Sequence, residues 1–334
     1  MKTGDEEDEC KMNESEILSK IVSDIKLRPG MSAGEVVSAM YDCGGFTAKK
    51  TAQGVNILEN MFRKSKEKKC TNFLAFPACI IATGLRGVIC DIVKNGWVDA
   101  VITTCGTLDH DIARVWKDYY HGSFHADDAK LHHQGINRLG NIFIPNDSYG
   151  VILEKKMQPI ISEIYESGVR DISGRDIIWK FGEKLAGEKN CEDSIIYQAY
   201  KNKIPVFVPG ITDGAFGSQI WMFWQDSHRD FNINIMKDEQ HLSDIIFNAE
   251  KTGALVIGGG ISKHHTIWWN QFRGGLDYAV YITTAPEWDG SLSGARVREA
   301  VSWGKVSESA RSVTIEGDAT AILPLMIGAV MDRM

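Results

Sequence analysis

Several common functional signatures are missing from this chain. Its seven cysteines are odd in number and scattered, with no C-x-x-C pair. That excludes a disulfide framework and points to reduced intracellular thiols. No apolar run reaches membrane-spanning length. The opening MKTGDEEDEC lacks the apolar segment of a secretory signal, so the expected location is cytoplasmic. There is no large basic block, and the net charge is −7 with a pI near 5.8, so neither nucleic acid nor a membrane is an expected partner. No H-E-x-x-H occurs, and no G-x-G-x-x-G follows the first strand of the alternating region. Neither a metalloprotease helix nor the usual dinucleotide fingerprint can be read directly.

What is present is a long globular chain. Its 334 residues are 43% hydrophobic, enough for a large core in one or two domains. Residues 1–15 are acidic and polar and read as a disordered tail. Residues 16–70 read as a helical extension. A first helix is expected over Glu16–Lys26 with Ser15 as N-cap, and a second after the capping box Ser32/Glu35. A third starts near Thr47 and ends in the basic run Arg63 to Lys69, which suits the helix dipole. From residue 71 to 334 the pattern becomes strand–helix alternation. Strands are expected at Asn72–Phe76, Val98–Thr104, Asn141–Ile144, Pro205–Val208, Phe231–Ile235, Ala254–Ile257, Tyr278–Thr283 and Val313–Ile315. This predicts an α/β fold with a mostly parallel sheet covered by helices on both faces. Pro159 reads as a helix start. No linker divides the chain and no repeat is visible.

The chemistry concentrates between Gly258 and Lys305, where two lysines, the pair His264/His265 and four tryptophans lie among glycine-rich turns. An imine-forming lysine needs burial or nearby cations to stay unprotonated. Lys305 follows Trp303 and Gly304; Lys263 follows the triple glycine and precedes the two histidines. The residues alone leave both open against a solvated surface lysine. Glu299 lies four residues before Trp303, on the same face if the segment is helical. His264 could position an amine or shuttle a proton, or be a satisfied core histidine. Turns after strands, at Phe76–Gly84, Thr103–Gly106 and Gly258–Gly260, could cradle phosphates or be ordinary loops. Asp213 and Asp289 sit in Asp-Gly turns. The cluster His121, His125, Asp127, Asp128, His132 and His133 lacks a metal-site spacing and reads better as a polar loop.

Taken together, five stretches resemble deoxyhypusine synthase: Lys263-His264-His265, Asp277–Tyr281, Asp289-Gly290, Ser293–Arg296 and Glu299–Lys305. The likeness extends upstream through Pro205–Phe207, Thr212–Gly214, Gly135–Asn141 and Val98–Gly106, and covers nearly everything after residue 30. The resemblance, to an archaeal-type or divergent member, implies a Rossmann-like fold, a homotetramer with active sites between subunits, and NAD as cofactor. It implies that spermidine gives up a hydride and diaminopropane. The butyl part then passes through an imine on Lys305 to a lysine of the hypusine-bearing translation factor. By motif, His264 joins Lys305 as a catalytic position. Asp109, His110, Ser218, Gly290, Leu292, Glu299 and Trp303 join His264 as amine-site positions. Ala78, Cys79, Ile80, Ile81, Ala82, Thr104, Cys105, Gly106, Asp213, Gly259, Thr284, Ala285, Asp318 and Ala319 match the NAD site. The chain departs from the eukaryotic pattern at His110, Ser218 and Leu292, where acidic residues stand in those members; Asp109 keeps one acid beside His110. A related transferase using agmatine or making homospermidine, and a non-catalytic partner subunit, are the competing expectations.

Overall fold

The sheet follows from runs of β-branched and aliphatic residues too short for helices. Its strands are β1 (Thr71–Phe76), β2 (Ala100–Thr103), β3 (Val206–Phe207), β4 (Thr252–Ile257), β5 (Leu276–Thr283) and β6 (Val306–Glu316). In the computed structural model, which describes residues 18–67 and 69–334, they lie in the order 3-2-1-4-5-6. Every pairing among them is parallel. Strand order reverses between β1 and β4, and in such sheets ligands bind in the crevice beyond the strand ends at that point.

Thirteen α-helices lie among the described residues, and nine of them carry the labels α1 (Ala33–Asp42), α2 (Phe46–Lys66), α3 (Leu85–Lys94), α4 (Cys105–Trp116), α5 (Ala215–Gln225), α6 (Ile235–Asn248), α7 (Gly260–Gln271), α8 (Val297–Ser302) and α9 (Ala319–Arg333). Side chains alternate across the sheet with period two. Leu74, Phe76, Leu255 and Val280 meet Leu58 of α2 and Met326 of α9 on one face. Phe73, Ala75, Val256 and Tyr281 meet Ile246 of α6, Ile267 of α7 and Ala300 of α8 on the other. Both faces are therefore dry, which is why these strands read as continuous apolar runs.

The capping box at Ser32 and Glu35 forms and opens α1. Four expectations need correction. Residues Leu18–Lys26 are not helical, while Ser15, Glu16 and the 1–15 tail lie outside the described residues. Leu18, Ile21 and Val22 are largely exposed, so there is no buried face to stabilise a helix. Pro159 does not start a helix but lies inside Gly150–Glu166; the turns before it bury Ile152, Leu153 and Met157, and that packing overrides the local proline signal. Ile142–Pro145 belongs to a separate three-stranded antiparallel sheet, and Asn232–Ile233 pairs only with Asp171–Ile172. The first is an apolar run and the second alternates in polarity, as strands do, but neither pattern names the partner strand.

Candidate functional site

The crevice at the switch point is built from tight backbone. Gly258 and Gly260 both have positive φ, 71° and 66°. Between them, a β-carbon on Gly259 would lie 2.3 Å from Ser293 Oγ, so only glycine lets the loop after β5 close over the turn after β4. The resulting cavity is about 530 Å3, with Cys79, Ile80, Gly258, Thr284, Ala285 and Asp318 among its walls. Asp318 caps α9, accepting the Thr320 N–H at 2.6 Å through Oδ1. Its carboxyl is held below the ordinary range, first by the Thr320 side chain and then by the backbone. Its other oxygen accepts no hydrogen bond among the described residues, which leaves it fit to receive a ribose hydroxyl.

Other NAD-site expectations surround this crevice without lining it. Thr104 Oγ1 accepts the Ala78 N–H at 3.0 Å, tying the turn after β2 to the turn after β1. A β-carbon on Gly106 would lie 2.9 Å from the Ala78 β-carbon. Ile81 and Ala82 are buried. Cys105 donates to the Ile211 carbonyl at 3.0 Å, and burial pushes its thiol up to about 12, so it is inert at neutral pH. Asp213 is exposed in the loop before α5.

A second cavity of about 190 Å3 lies between the sheet, α7 and α8. Lys263, Tyr281, Leu292, Glu299, Trp303 and Lys305 are among its walls. Leu292 faces this cavity and its neighbours Ser291 and Ser293 face the first, so one loop forms part of both walls. Lys305 directly precedes β6, and its carbonyl accepts the Leu276 N–H at 3.1 Å. Its side chain is only 9% exposed. The ammonium nitrogen stands 5.2 Å from the Trp303 ring centroid and 5.7 Å from that of Trp268, and it makes no hydrogen bond among the described residues. His264 stacks on Trp268 at 5.7 Å. Burial, and secondarily the Lys305 charge, hold its pKa below the usual value, so it is neutral at pH 7.

Lys263 differs. Its ammonium donates to the carbonyls of Leu292 at 2.8 Å and Ala295 at 2.7 Å and lies 4.3 Å from the Tyr281 ring centroid. Burial brings its pKa down to about 8. Lowered basicity alone would suit a nucleophile, but two of its three donors are committed to the loop, so geometry gives it the role of tethering that loop.

Asp109, His110 and Ser218 do not join this cavity within the chain. Asp109 is buried and accepts from Tyr149 Oη at 2.8 Å and from the Ala215 and Phe216 N–H groups at 2.9 and 2.7 Å. It caps α5, with its carboxyl raised by burial. Ser218 is exposed on α5 and donates to the Gly214 carbonyl. Gly290 is exposed with φ 73°. In the His-rich loop, Asp127 caps Asp128–His133 and Asp128 pairs with Arg138.

Burial, then Arg114, pushes the His110 imidazole down to about 4. The folded protein keeps it neutral, whereas the unfolded chain binds a proton near 6.5. Stability from this group is full above that value and lost as pH falls from 6.5 through 4, by up to about 3 kcal/mol. Urea midpoints at pH 7 and 4.5 should therefore separate in the native chain and separate less in His110→Gln. Equal separation in both would remove His110 as the cause.

Sequence reading missed Trp268 and the tethering role of Lys263. The four-residue spacing from His264 could have exposed Trp268, since such residues share a helix face. Lys263's carbonyl partners are set only by the loop.

A family model described as deoxyhypusine synthase matches residues 35–330. A Picrophilus torridus protein named "Probable deoxyhypusine synthase" is 55% identical over 316 residues, covering 95% of this chain and 98% of that one. A Thermoplasma acidophilum protein of the same name is 52% identical over 316 residues, covering 95% and 99%. The crystal structure of an Entamoeba histolytica chain assigned as a deoxyhypusine synthase matches with a TM-score of 0.65 at 19% identity, covering 93% of this chain and 97% of that one, a likeness of fold. With the alternating parallel sheet and the motifs from Lys263 to Lys305 now placed around two adjoining cavities, the chain belongs to the deoxyhypusine synthase family.

Proposed function

We propose that this enzyme moves the aminobutyl group of spermidine, by way of an imine on Lys305, to a lysine of the hypusine-bearing translation factor. The observation that carries the reading is Lys305 itself: a nearly buried amine, free of hydrogen bonds, between two tryptophan faces in a cavity beside the switch-point crevice. NAD bound in that crevice supplies the hydride acceptor; the backbone at Gly258–Gly260 and the free oxygen of Asp318 fit a dinucleotide. Trp303 and Trp268 keep water from Lys305, and neutral His264 can take a proton as an amine nitrogen changes its charge. Lys263 holds the loop bearing Leu292 against the donor.

Glu299 lines the cavity, and its carboxylate makes no hydrogen bond or ion pair among the described residues, though its charge acts on Lys263. In this reading it holds the far ammonium of the donor. A hydrogen bond to a charged group contributes about 1.5–3 kcal/mol. Glu299→Gln should therefore raise KM for spermidine roughly ten- to hundredfold while leaving the affinity for NAD unchanged, measured by initial rates and by cofactor fluorescence. An unchanged KM would remove Glu299 from the amine site.

A cytoplasmic homotetramer completes the proposal. Trp303 is 63% exposed and Trp268 42%, which supports covering by another copy. The division into tail (1–15), helical extension (16–70) and NAD-binding body (71–334) is retained as part of the proposal. The direct test is to incubate the protein with NAD and spermidine, reduce with borohydride, and map the adduct by peptide mass spectrometry. A butylamine-type adduct on Lys305 is expected. An adduct from agmatine but not spermidine would overturn the donor, and no adduct on Lys305 from either amine would overturn the imine route.

A further inference from the structure

A third cavity, about 390 Å3, opens at the other end of the sheet, where β4 and β5 begin. It is far from the crevice at the strand C-termini. Lys64 from the end of α2, Lys251 just before β4 and Arg311 in the middle of β6 point their charges into it, with Tyr278 and Ser309 on the walls. On a chain of net charge −7, three cations sharing one space is unusual, because their mutual repulsion costs stability unless an anion answers it.

The chain supplies one carboxylate there, and it is paired elsewhere. Lys251 and Arg311 have no side-chain partner among the described residues. The one carboxylate on the cavity wall, Asp277, is already engaged: its Oδ2 accepts the Thr252 N–H at 2.9 Å and Arg273 Nη1 at 3.0 Å. Lys64 donates to the Tyr278 phenol oxygen, which leaves the phenol proton free to donate into the cavity. Beside the Asp277 carboxylate and the Asn60 amide, the fittings are donors: two ammoniums, a guanidinium fork, a phenol and a hydroxyl. Such a set matches an oxyanion that only accepts and does so in several directions.

We infer that this cavity binds a phosphate group, free or carried on a small phosphomonoester. The volume exceeds what a bare phosphate fills, so an attached organic group has room. The site is set in the frame that carries the lysine of the second cavity: Tyr278 is the register partner of Arg311, and the strand it belongs to begins at Leu276, whose N–H holds the Lys305 carbonyl.

The test is a titration of the full chain into inorganic phosphate and, separately, ribose 5-phosphate, followed by 31P line broadening at fixed ionic strength. Saturable broadening with at least one of the two is expected. Lys251→Gln/Arg311→Gln should weaken it by roughly tenfold or more. Ser309→Glu, which keeps every cation but puts a carboxylate in the mouth, should abolish it and guards against a folding defect in the double variant. Lys117→Gln/Lys189→Gln, an equal charge change at exposed positions elsewhere, should leave it unchanged. No saturable broadening in the native chain overturns the site. So does broadening that survives Ser309→Glu, which would place the phosphate in the dinucleotide crevice, or equal weakening by the control pair.

Discussion

Lys305→Ala is expected to lower aminobutyl transfer by at least about a thousandfold, because in the proposed route it removes the nitrogen that holds the group on the enzyme. Trp303 and Trp268 would remain, and so would the crevice, so NAD affinity should not change. Lys305→Arg should be equally inactive: a guanidinium keeps the charge between the tryptophans but is not deprotonated and cannot form an imine. The comparison separates charge from nucleophilicity. Single-turnover rates and the mass of the trapped peptide check it. If Lys305→Ala kept a tenth of the native rate while Lys263→Ala lost the adduct, the nucleophile would be Lys263.

The second large effect concerns stability. Asp111 is fully buried on α4, 2.7 Å from Arg86 Nε. It also accepts from Ser194 Oγ at 2.7 Å and from the Ile195 and Ile196 N–H groups at 3.1 and 2.9 Å. One carboxylate thus neutralises a buried guanidinium and caps the helix Ile195–Lys201. Asp111→Ala leaves Arg86 buried without a counter-charge, and breaking such a pair costs about 3–5 kcal/mol. Urea denaturation should show this, with the double change Arg86→Met/Asp111→Leu recovering only part of the loss: it removes the unpaired guanidinium but leaves the Ser194 hydroxyl and the Ile195 and Ile196 N–H groups without their acceptor. A single-variant loss under about 1 kcal/mol would mean that water reaches the pair.

Much of this architecture could be read before any coordinates. Strands such as Ala254–Ile257 and Tyr278–Thr283 are apolar on both faces and bounded by glycine or polar turns, so they declared a buried parallel sheet. The region around Lys305 was legible because tryptophan, glycine and lysine rarely crowd together without chemical reason. Asp111 was not legible: in the row Asp109-His110-Asp111 nothing distinguishes a helix cap, a neutral imidazole and an ion-pair partner, since the difference lies in what α5, Tyr119 (its hydroxyl 3.0 Å from His110 Nδ1) and Arg86 bring from elsewhere. For the same reason Asp109 reads as a free acid in the sequence and is found with its oxygens committed to Tyr149 and α5. The arm at Leu18–Lys26 shows the opposite failure. Its apolar spacing suits a helix, but periodicity states only what a helix could bury, and within the described chain none of its residues is buried.

The reversal of strand order also bears on synthesis. The crevice needs β1 and β4 side by side, and these neighbours are separated in the chain by everything from residue 77 to 251. A nascent chain that has released β1, α3 and β2 from the ribosome therefore still has no place for a dinucleotide. The site closes only after β4, the loop bearing Ser293 and the start of α9 have emerged. On the proposed reading, capture of the dinucleotide is a late event in the life of the polypeptide. Until then the apolar edge of β1 waits for its neighbour, which makes the half-made chain, more than the finished one, the natural client of a chaperone.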